Sequence, residues 1–428
     1  MEVKENICLC NLCESCIHVF KEEHMLNSSC DLNCFSLDDC PHKKRKYCAK
    51  CKQVLDPEPN EEDFNQDLEL LESALNNKNL KVICYTAPSI RVSIGDEFGF
   101  KPGENVEGKM VSALKKLGFY QVFDMNTAAD FTILEEAHEF VERYKKNKNL
   151  PMFTSCCPGW VNYAKKVYPE LIKNLSTCKS PQQMFGSLLN TYYAEKHNLK
   201  STDMFVVSIV PCLAKKLELK QSELNTNIGQ DVDLAITTKE ISRFIRAKNI
   251  DFKNLPDENF DDFFGSSTGA GAIFGNTGGV TEAVLRTIGE TLSPSEKVNL
   301  EYKMVRGIDS IRKTEIKFGK DKIKIAIVMG LKNVPLIIEE LKKTPNKYHF
   351  IEVMACSGGC IGGGGQTSID GVSPATLIEY RAKGLYECEL KREHRKAHLN
   401  SSIQEIYRNY LGKIGGRKAK QLLHRKYK

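Results

Sequence analysis

Apolar runs bounded by turn residues recur at 81–87, 119–125, 152–156, 205–212, 233–237, 322–330 and 349–355, and they predict strands. Between most of them, apolar positions three and four apart predict helices over 133–146, 159–174 and 181–197. Upstream, Leu68, Leu70, Leu71 and Leu75 fall near one side of a helix over 64–77. Alternating strands and helices predict an α/β fold with parallel sheets flanked by helices on both faces. The pattern forms two lobes, broken near an irregular stretch at 250–280, with ligands expected between them. Four segments follow: a Cys-rich piece at 1–56, an acidic, proline-bearing linker and helix at 57–79, the two-lobed domain at 80–372, and a polar helical segment at 373–428.

Composition changes this picture in one respect. The chain holds 17 cysteines in 428 residues, and nine of them crowd into residues 1–56, where periodic apolar positions are few. Metal is expected to staple that piece. The start, Met1-Glu-Val-Lys-Glu-Asn6, is charged and resembles neither a signal nor a transit peptide. No stretch approaches the ~18 apolar residues of a membrane span. A reducing, cytoplasmic setting with cysteines as metal ligands is the simplest account. The net charge of +6 is modest, and its basic part gathers at 416–428. Few aromatics interleave that tail, so a solvated helix or a docking surface for an acidic protein is expected rather than a nucleic-acid interface.

The most informative stretch is Phe350-Ile-Glu-Val-Met-Ala-Cys-Ser-Gly-Gly-Cys-Ile-Gly-Gly-Gly-Gly-Gln366. An apolar strand runs into Cys356 and Cys360 and then into glycines, which let backbone approach an inorganic core. Thiolates suit iron–sulfur clusters. A phosphate loop would want a helix start and a Lys or Ser directly after the glycines, and Gln366-Thr367 supplies neither. Two other strands end similarly, in Thr154-Ser-Cys-Cys-Pro158 and in Val210-Pro-Cys-Leu-Ala-Lys215. Cys156 and Cys157, adjacent at a strand end, should point to opposite sides and so divide their roles.

Together these three motifs, in this order, resemble the signatures of the FeFe-hydrogenases. The resemblance covers roughly residues 80–428 and includes Ser180-Pro-Gln-Gln-Met-Phe-Gly186 and the glycine-rich run from Gly269 to Gly279. It implies that Cys157, Cys212, Cys356 and Cys360 hold a 4Fe–4S cubane. Cys360 would also bridge to a diiron subcluster carrying CO, cyanide and a dithiolate, the pair forming an H-cluster. Cys156 becomes the terminal proton donor. Lys215, three residues past Cys212, would donate to an anionic diatomic ligand, with Glu218 as neighbour and Lys216 left as a solvated surface residue. Ala87, Pro88, Ser89, Gln182 and Met354 would line the diiron pocket. The residues following 373 resemble the family's small-subunit-like segment.

Glu136, Glu139 and Arg143 stand at i, i+3 and i+7, in one stripe of a helix. By itself Glu139–Arg143 is a routine surface pair. The resemblance makes the stripe, with Ser176, a proton relay: Arg143/Glu139, Ser176, Glu136, water, Cys156. It further implies a monomer that exchanges electrons with ferredoxin or a similar carrier and needs maturation proteins to install its cluster. At the N-terminus, Cys10, Cys13 and Cys16 begin like a two-cluster ferredoxin, yet Phe20-Lys21 stand where Cys-Pro would continue it. Cys30, Cys34, Cys40, Cys48 and Cys51 complete eight thiols. These suffice for two additional 4Fe–4S clusters, the favoured reading, or for one cubane plus zinc. Val210, Ser357 and Ile361-Gly362 depart from the family pattern without removing a ligand. The rival reading is a non-catalytic iron–sulfur assembly scaffold on the same fold. Cys156, Glu136 and Ser176 favour the catalyst.

Overall fold

The computed structural model describes residues 61–226 and 229–427. The segment 1–56 and the cluster ligands expected there, Cys10, Cys13, Cys16, Cys30, Cys34, Cys40, Cys48 and Cys51, lie outside the described residues. Helix α1 (Glu61–Asn76) opens the described part and buries Leu71 and Ala74, whereas Leu70 is 46% exposed and so leaves the expected apolar side.

The first lobe follows as β1 (Lys81–Thr86), α2 (Glu107–Lys116), β2 (Gln121–Asp124) and α3 (Met125–Lys146). After a two-residue β3 (Met152–Phe153) come α4 (Pro158–Val167), α5 (Pro181–Leu188), β4 (Met204–Val210), α6 (Ala214–Glu218), β5 (Leu234–Thr237) and α7 (Thr238–Ala247). The second half carries α8 (Gly279–Leu292), the hairpin β6 (Ile311–Phe318) and β7 (Asp321–Met329), α9 (Val334–Lys343) and β8 (Phe350–Met354). The C-terminal segment contains α10 (Pro374–Leu390), α11 (Ser401–Ile406) and α12 (Arg417–Leu423).

One sheet is wholly parallel, in the order β2-β1-β4-β5. The other runs β3-β8-β7-β6, with only the β6–β7 pair antiparallel. The lobes therefore do not divide at 250–280: β3, from the first half of the chain, completes the second sheet. The strand expected over 152–156 stops at Phe153, although Thr154 still donates to the Ile351 carbonyl at 3.0 Å. Strand β6 escapes the sequence pattern because Arg312, Lys313, Glu315 and Lys317 break its apolar rhythm, leaving a half-exposed edge strand.

Helix boundaries differ from the expected ones for identifiable reasons. Helix α3 starts at Met125, eight residues before 133, because the Asp124 carboxylate caps it by accepting from the Asn126 N–H at 2.9 Å. The helix expected over 159–174 ends at Val167, and Pro169 restarts it as a 3₁₀ turn. The one over 181–197 contains a π-helical turn at Leu189–Tyr193.

The basic tail is helical over Arg417–Leu423, with Arg417, Lys418 and Lys420 exposed, but its end is anchored rather than solvated. Its chain runs back against residues 177–179: the Lys179 N–H donates to the Leu423 carbonyl and the Arg425 N–H to the Thr177 carbonyl, each at 2.8 Å. Leu423 and Arg425 are buried. Lys216 is likewise not a free surface residue, since it bonds Asp67 at 2.6 Å and Glu240 at 2.5 Å and so ties α1 to α7.

Candidate metal centre

The carboxyl ends of β1, β4 and β8 meet the end of β3 around one cavity. Its wall includes Ala87, Pro88, Cys156, Cys157, Gln182, Val210, Cys212, Lys215, Met354, Cys356 and Cys360. About 710 Å³ within its walls is unfilled by atoms, open solvent included. Ser89 is the exception among the expected lining residues: it packs behind Gly275, away from the wall, with its buried hydroxyl unpartnered.

Cys156 and Cys157 both reach the cavity, so strand alternation does not separate them. They lie beyond β3, and Cys157 is the N-cap of α4, with Pro158 pre-set for the first helical turn. Cys212 follows β4. Cys356 and Cys360 follow β8, where close approach of backbone requires the glycines. Gly359 has φ +86°, and an added Cβ would stand 2.7 Å from the Thr277 amide nitrogen. At Gly363 it would stand 2.3 Å from the Pro211 carbonyl oxygen. The loop is held from outside by Gln366, whose Oε1 accepts from Ser93 at 2.7 Å and from Thr238 at 2.8 Å, while its Nε2 donates to the Cys360 carbonyl at 3.2 Å.

The donor set fits an iron–sulfur cluster. Four cysteines from three loops converge on an apolar cleft. No three of their sulfurs lie within 4.8 Å of one another. A single tetrahedral ion with ~2.3 Å bonds to sulfur would draw them to roughly 3.8 Å, so the spacing suits a polynuclear core better than zinc. Burial first, then the Cys212 and Cys157 sulfurs, push the Cys360 thiol to about 12. Coordination by a metal removes such a proton outright.

Lys215 sits at the cavity edge on α6. Its Nζ donates to the Cys156 carbonyl at 3.1 Å and to Glu218 Oε2 at 2.9 Å, leaving one of three N–H bonds for the cavity. Burial alone would lower its pKa, but the Glu218 charge and hydrogen bond more than offset that and keep the ammonium protonated. Glu218 Oε2 also accepts from Ser180 at 2.9 Å and from Gln182 at 3.0 Å, which fixes the Gln182 amide against the wall.

The expected relay residues lie in a row on α3 and the following segment. Arg143 donates to Glu139 Oε1 at 2.6 Å and to the Leu175 carbonyl at 2.8 Å; Glu139 is 13% exposed. Ser176 Oγ donates to Glu139 Oε2 at 3.1 Å. Glu136 is fully buried, and neither oxygen makes a hydrogen bond of ordinary geometry. Burial, reinforced by the Glu139 charge, pushes its pKa to about 8 against a weak opposing pull from Ser176 and the Ser155 amide. A carboxyl that can hold or release its proton near neutrality is suited to relay work.

Sequence reasoning missed three supports. Glu352 accepts from the Gly278 N–H at 2.6 Å and from the Thr281 N–H and hydroxyl at 2.7 and 2.8 Å, pinning the start of α8 to the strand that delivers Cys356. An acid inside an otherwise apolar strand was the available signal. His424 and Tyr427 come from the tail, and Tyr427 donates to the Ser176 carbonyl at 2.7 Å. No local pattern announces contacts across some 250 residues.

Residues 80–364 match the family described as iron only hydrogenase large subunit, C-terminal domain, and residues 375–428 match iron hydrogenase small subunit. The chain is 41% identical to iron hydrogenase 1 of Clostridium pasteurianum over 84% of its own length and 63% of that protein's. It is 43% identical to the NADP-reducing hydrogenase subunit HndD of Solidesulfovibrio fructosivorans over 83% and 61%. The chain thus spans about three fifths of these curated relatives. A cytosolic Fe–S cluster assembly factor from Danio rerio is 29% identical over 89% of this chain and 94% of its own. Among solved structures, an apo variant of the FeFe-hydrogenase HydA1 of Chlamydomonas reinhardtii superposes with a TM-score of 0.76 at 33% identity, covering 84% of this chain and 98% of that one. Among the described residues no helix is long and apolar enough to cross a membrane. The chain belongs to the iron-only (FeFe) hydrogenase family.

Proposed function

We propose that the chain is an FeFe-hydrogenase that interconverts 2H⁺ + 2e⁻ and H₂. The observation that carries this reading is Glu136, a solvent-free carboxyl between the Ser176–Glu139 pair and the cysteine-lined cavity. A scaffold that only holds or passes on a cluster has no use for a buried, proton-holding acid there. When bound, the H-cluster supplies the two-electron redox chemistry. Cys157, Cys212, Cys356 and Cys360 would hold its iron–sulfur part. Lys215 steadies anionic ligands, and Ala87, Pro88, Gln182 and Met354 exclude water. Protons enter at Arg143 and Glu139, pass by Ser176 to Glu136, and reach Cys156, the thiol left unligated. Electrons come from ferredoxin or a similar carrier through N-terminal 4Fe–4S clusters, in an anaerobic cytoplasm, with maturation proteins installing the diiron part into a monomer.

The assembly-scaffold reading has its own support, since the fish assembly factor is matched over nearly its whole length. The two separate cleanly. The full chain, made anaerobically with hydrogenase maturation proteins, should show infrared bands of bound CO and cyanide and evolve hydrogen from reduced methyl viologen. An iron-loaded protein lacking both signals is a scaffold.

A further inference from the structure

Ligating side chains also gather away from the cysteine cavity. Ligand atoms of Glu139, Cys178 and His424 lie within 4.8 Å of one another, a compact trio of acidic, thiol and imidazole groups. Cys178 is fully buried, with its Sγ 3.8 Å from Glu139 Oε2. The antiparallel bridge between Cys178 and His424 fixes their separation through backbone rather than through flexible side chains.

The imidazole is prepared for a metal. Its Nε2 lies 2.9 Å from Glu135 Oε2 and its Nδ1 2.8 Å from Thr177 Oγ1. A carboxylate only accepts, so in the neutral ring Nε2 carries the proton and the Nδ1 lone pair faces the Thr177 hydroxyl. Glu135 is itself held by the Tyr407 hydroxyl at 2.6 Å and the Gly415 N–H at 2.9 Å. A fixed carboxylate behind the imidazole is the support that metal-binding histidines ordinarily have. An open cavity lined by Glu139, Thr177 and His424 reaches two of the three ligands, with Cys178 buried behind it.

We propose that Glu139, Cys178 and His424 form a binding site for a thiophilic divalent cation, zinc by the chemistry of its donors, that closes the outer end of the proton path. Binding is a ligand exchange without redox change. The Cys178 S–H proton leaves to solvent as the metal–sulfur bond forms, the Thr177 hydroxyl gives up Nδ1, and water fills the fourth position. The surroundings set the strength. Glu135 and Glu142 add negative charge, while Arg143, Lys420, Arg425 and Lys426 line the same cavity, and Arg143 already holds Glu139 Oε1. That balance suits a reversible, inhibitory ion rather than a permanent structural one. The inhibition rests on the relay reading of Glu139, whereas the binding does not.

The test uses the full chain with its iron sites filled, dialysed against zinc chloride. Zinc X-ray absorption should show one added zinc per chain with a single sulfur among nitrogen and oxygen ligands. Cys178→Ser should remove that sulfur, and His424→Gln should weaken retention at least about tenfold. Zinc should also slow hydrogen turnover of the unaltered chain with unchanged CO and cyanide bands, and about tenfold more zinc should be needed in His424→Gln. An all-sulfur shell indifferent to both substitutions, or no retained zinc, overturns the site. A chain that binds zinc in this way but never turns over hydrogen keeps the site and loses the hydrogenase reading.

Discussion

The cysteine cavity and the proposed proton path are built on different terms. Backbone makes the cavity: three short loops, two glycines packed against neighbouring main chain, and Gln366 and Glu352 bracing from behind. Side chains make the path: one stripe of α3, a hydroxyl from the 174–177 segment, and a C-terminal tail folded over both. A cluster needs four fixed sulfurs, and rigid loops hold them. A proton needs acids of matched affinity, and burial and neighbouring charge provide those. Holding the metal and feeding it protons should therefore be separable by substitution.

The sharpest break comes from the cavity side. Cys157→Ala removes one of the four proposed cluster ligands, and the expected result is loss of the cubane's iron and of all hydrogen turnover, read by iron content and a hydrogen-evolution assay. Retained full iron and turnover would remove Cys157 from the ligand set. On the path side, Glu136→Gln keeps the volume and removes the titration. Hydrogen evolution should fall roughly 10²–10⁴-fold, with iron content and infrared bands unchanged. The same substitution has a signature in stability. The folded carboxyl holds its proton up to about pH 8, whereas unfolded Glu releases it near ~4.3. The native state thus binds more protons between those values, and stability declines as pH rises from about 4.3 to about 8, then levels. The decline is at most about 5 kcal/mol and should be absent in Glu136→Gln. A denaturant titration series showing equal slopes in both proteins would remove Glu136 from that role.

The same contrast explains what the sequence disclosed. Parallel strands at 81–86, 204–210 and 350–354 and the cysteines after them were legible because each is a short, local apolar run ending in chemistry. The α3 stripe was legible in spacing, though only resemblance distinguished Glu139–Arg143 from a surface pair. What escaped was non-local. Strand β3 joins the second sheet, which no window of residues can announce. The tail's basic composition suggested solvent, while Arg425 is buried against Gln221 and Glu223. Cys156 and Cys157 read as strand residues in the apolar run, but Pro158 turns the chain into a helix immediately after them.

Two smaller changes refine the comparison. Glu352→Gln leaves a buried N–H of Gly278 or Thr281 facing an amide donor instead of a carboxylate oxygen. The expected loss is about 2–4 kcal/mol of stability, measured by denaturant unfolding, together with poorer retention of cluster iron, since α8 and β8 lose their joint. A stable protein that still loses no iron would show that the cavity does not lean on this brace.

The mildest test falls on the tail. Tyr427 donates to the Ser176 carbonyl and so holds the backbone that carries the proposed relay hydroxyl. Tyr427→Phe removes that single hydrogen bond and little volume, at about 0.5–1.5 kcal/mol. If the path depends on distributed side-chain placement, hydrogen evolution should drop a few-fold while iron content and infrared bands stay fixed. An unchanged rate would mean that Ser176 is held adequately by Glu139 and by its own N–H on the Phe153 carbonyl, and that the tail covers the path without tuning it. A loss of iron would contradict the separation itself, because Tyr427 is no part of the cavity wall.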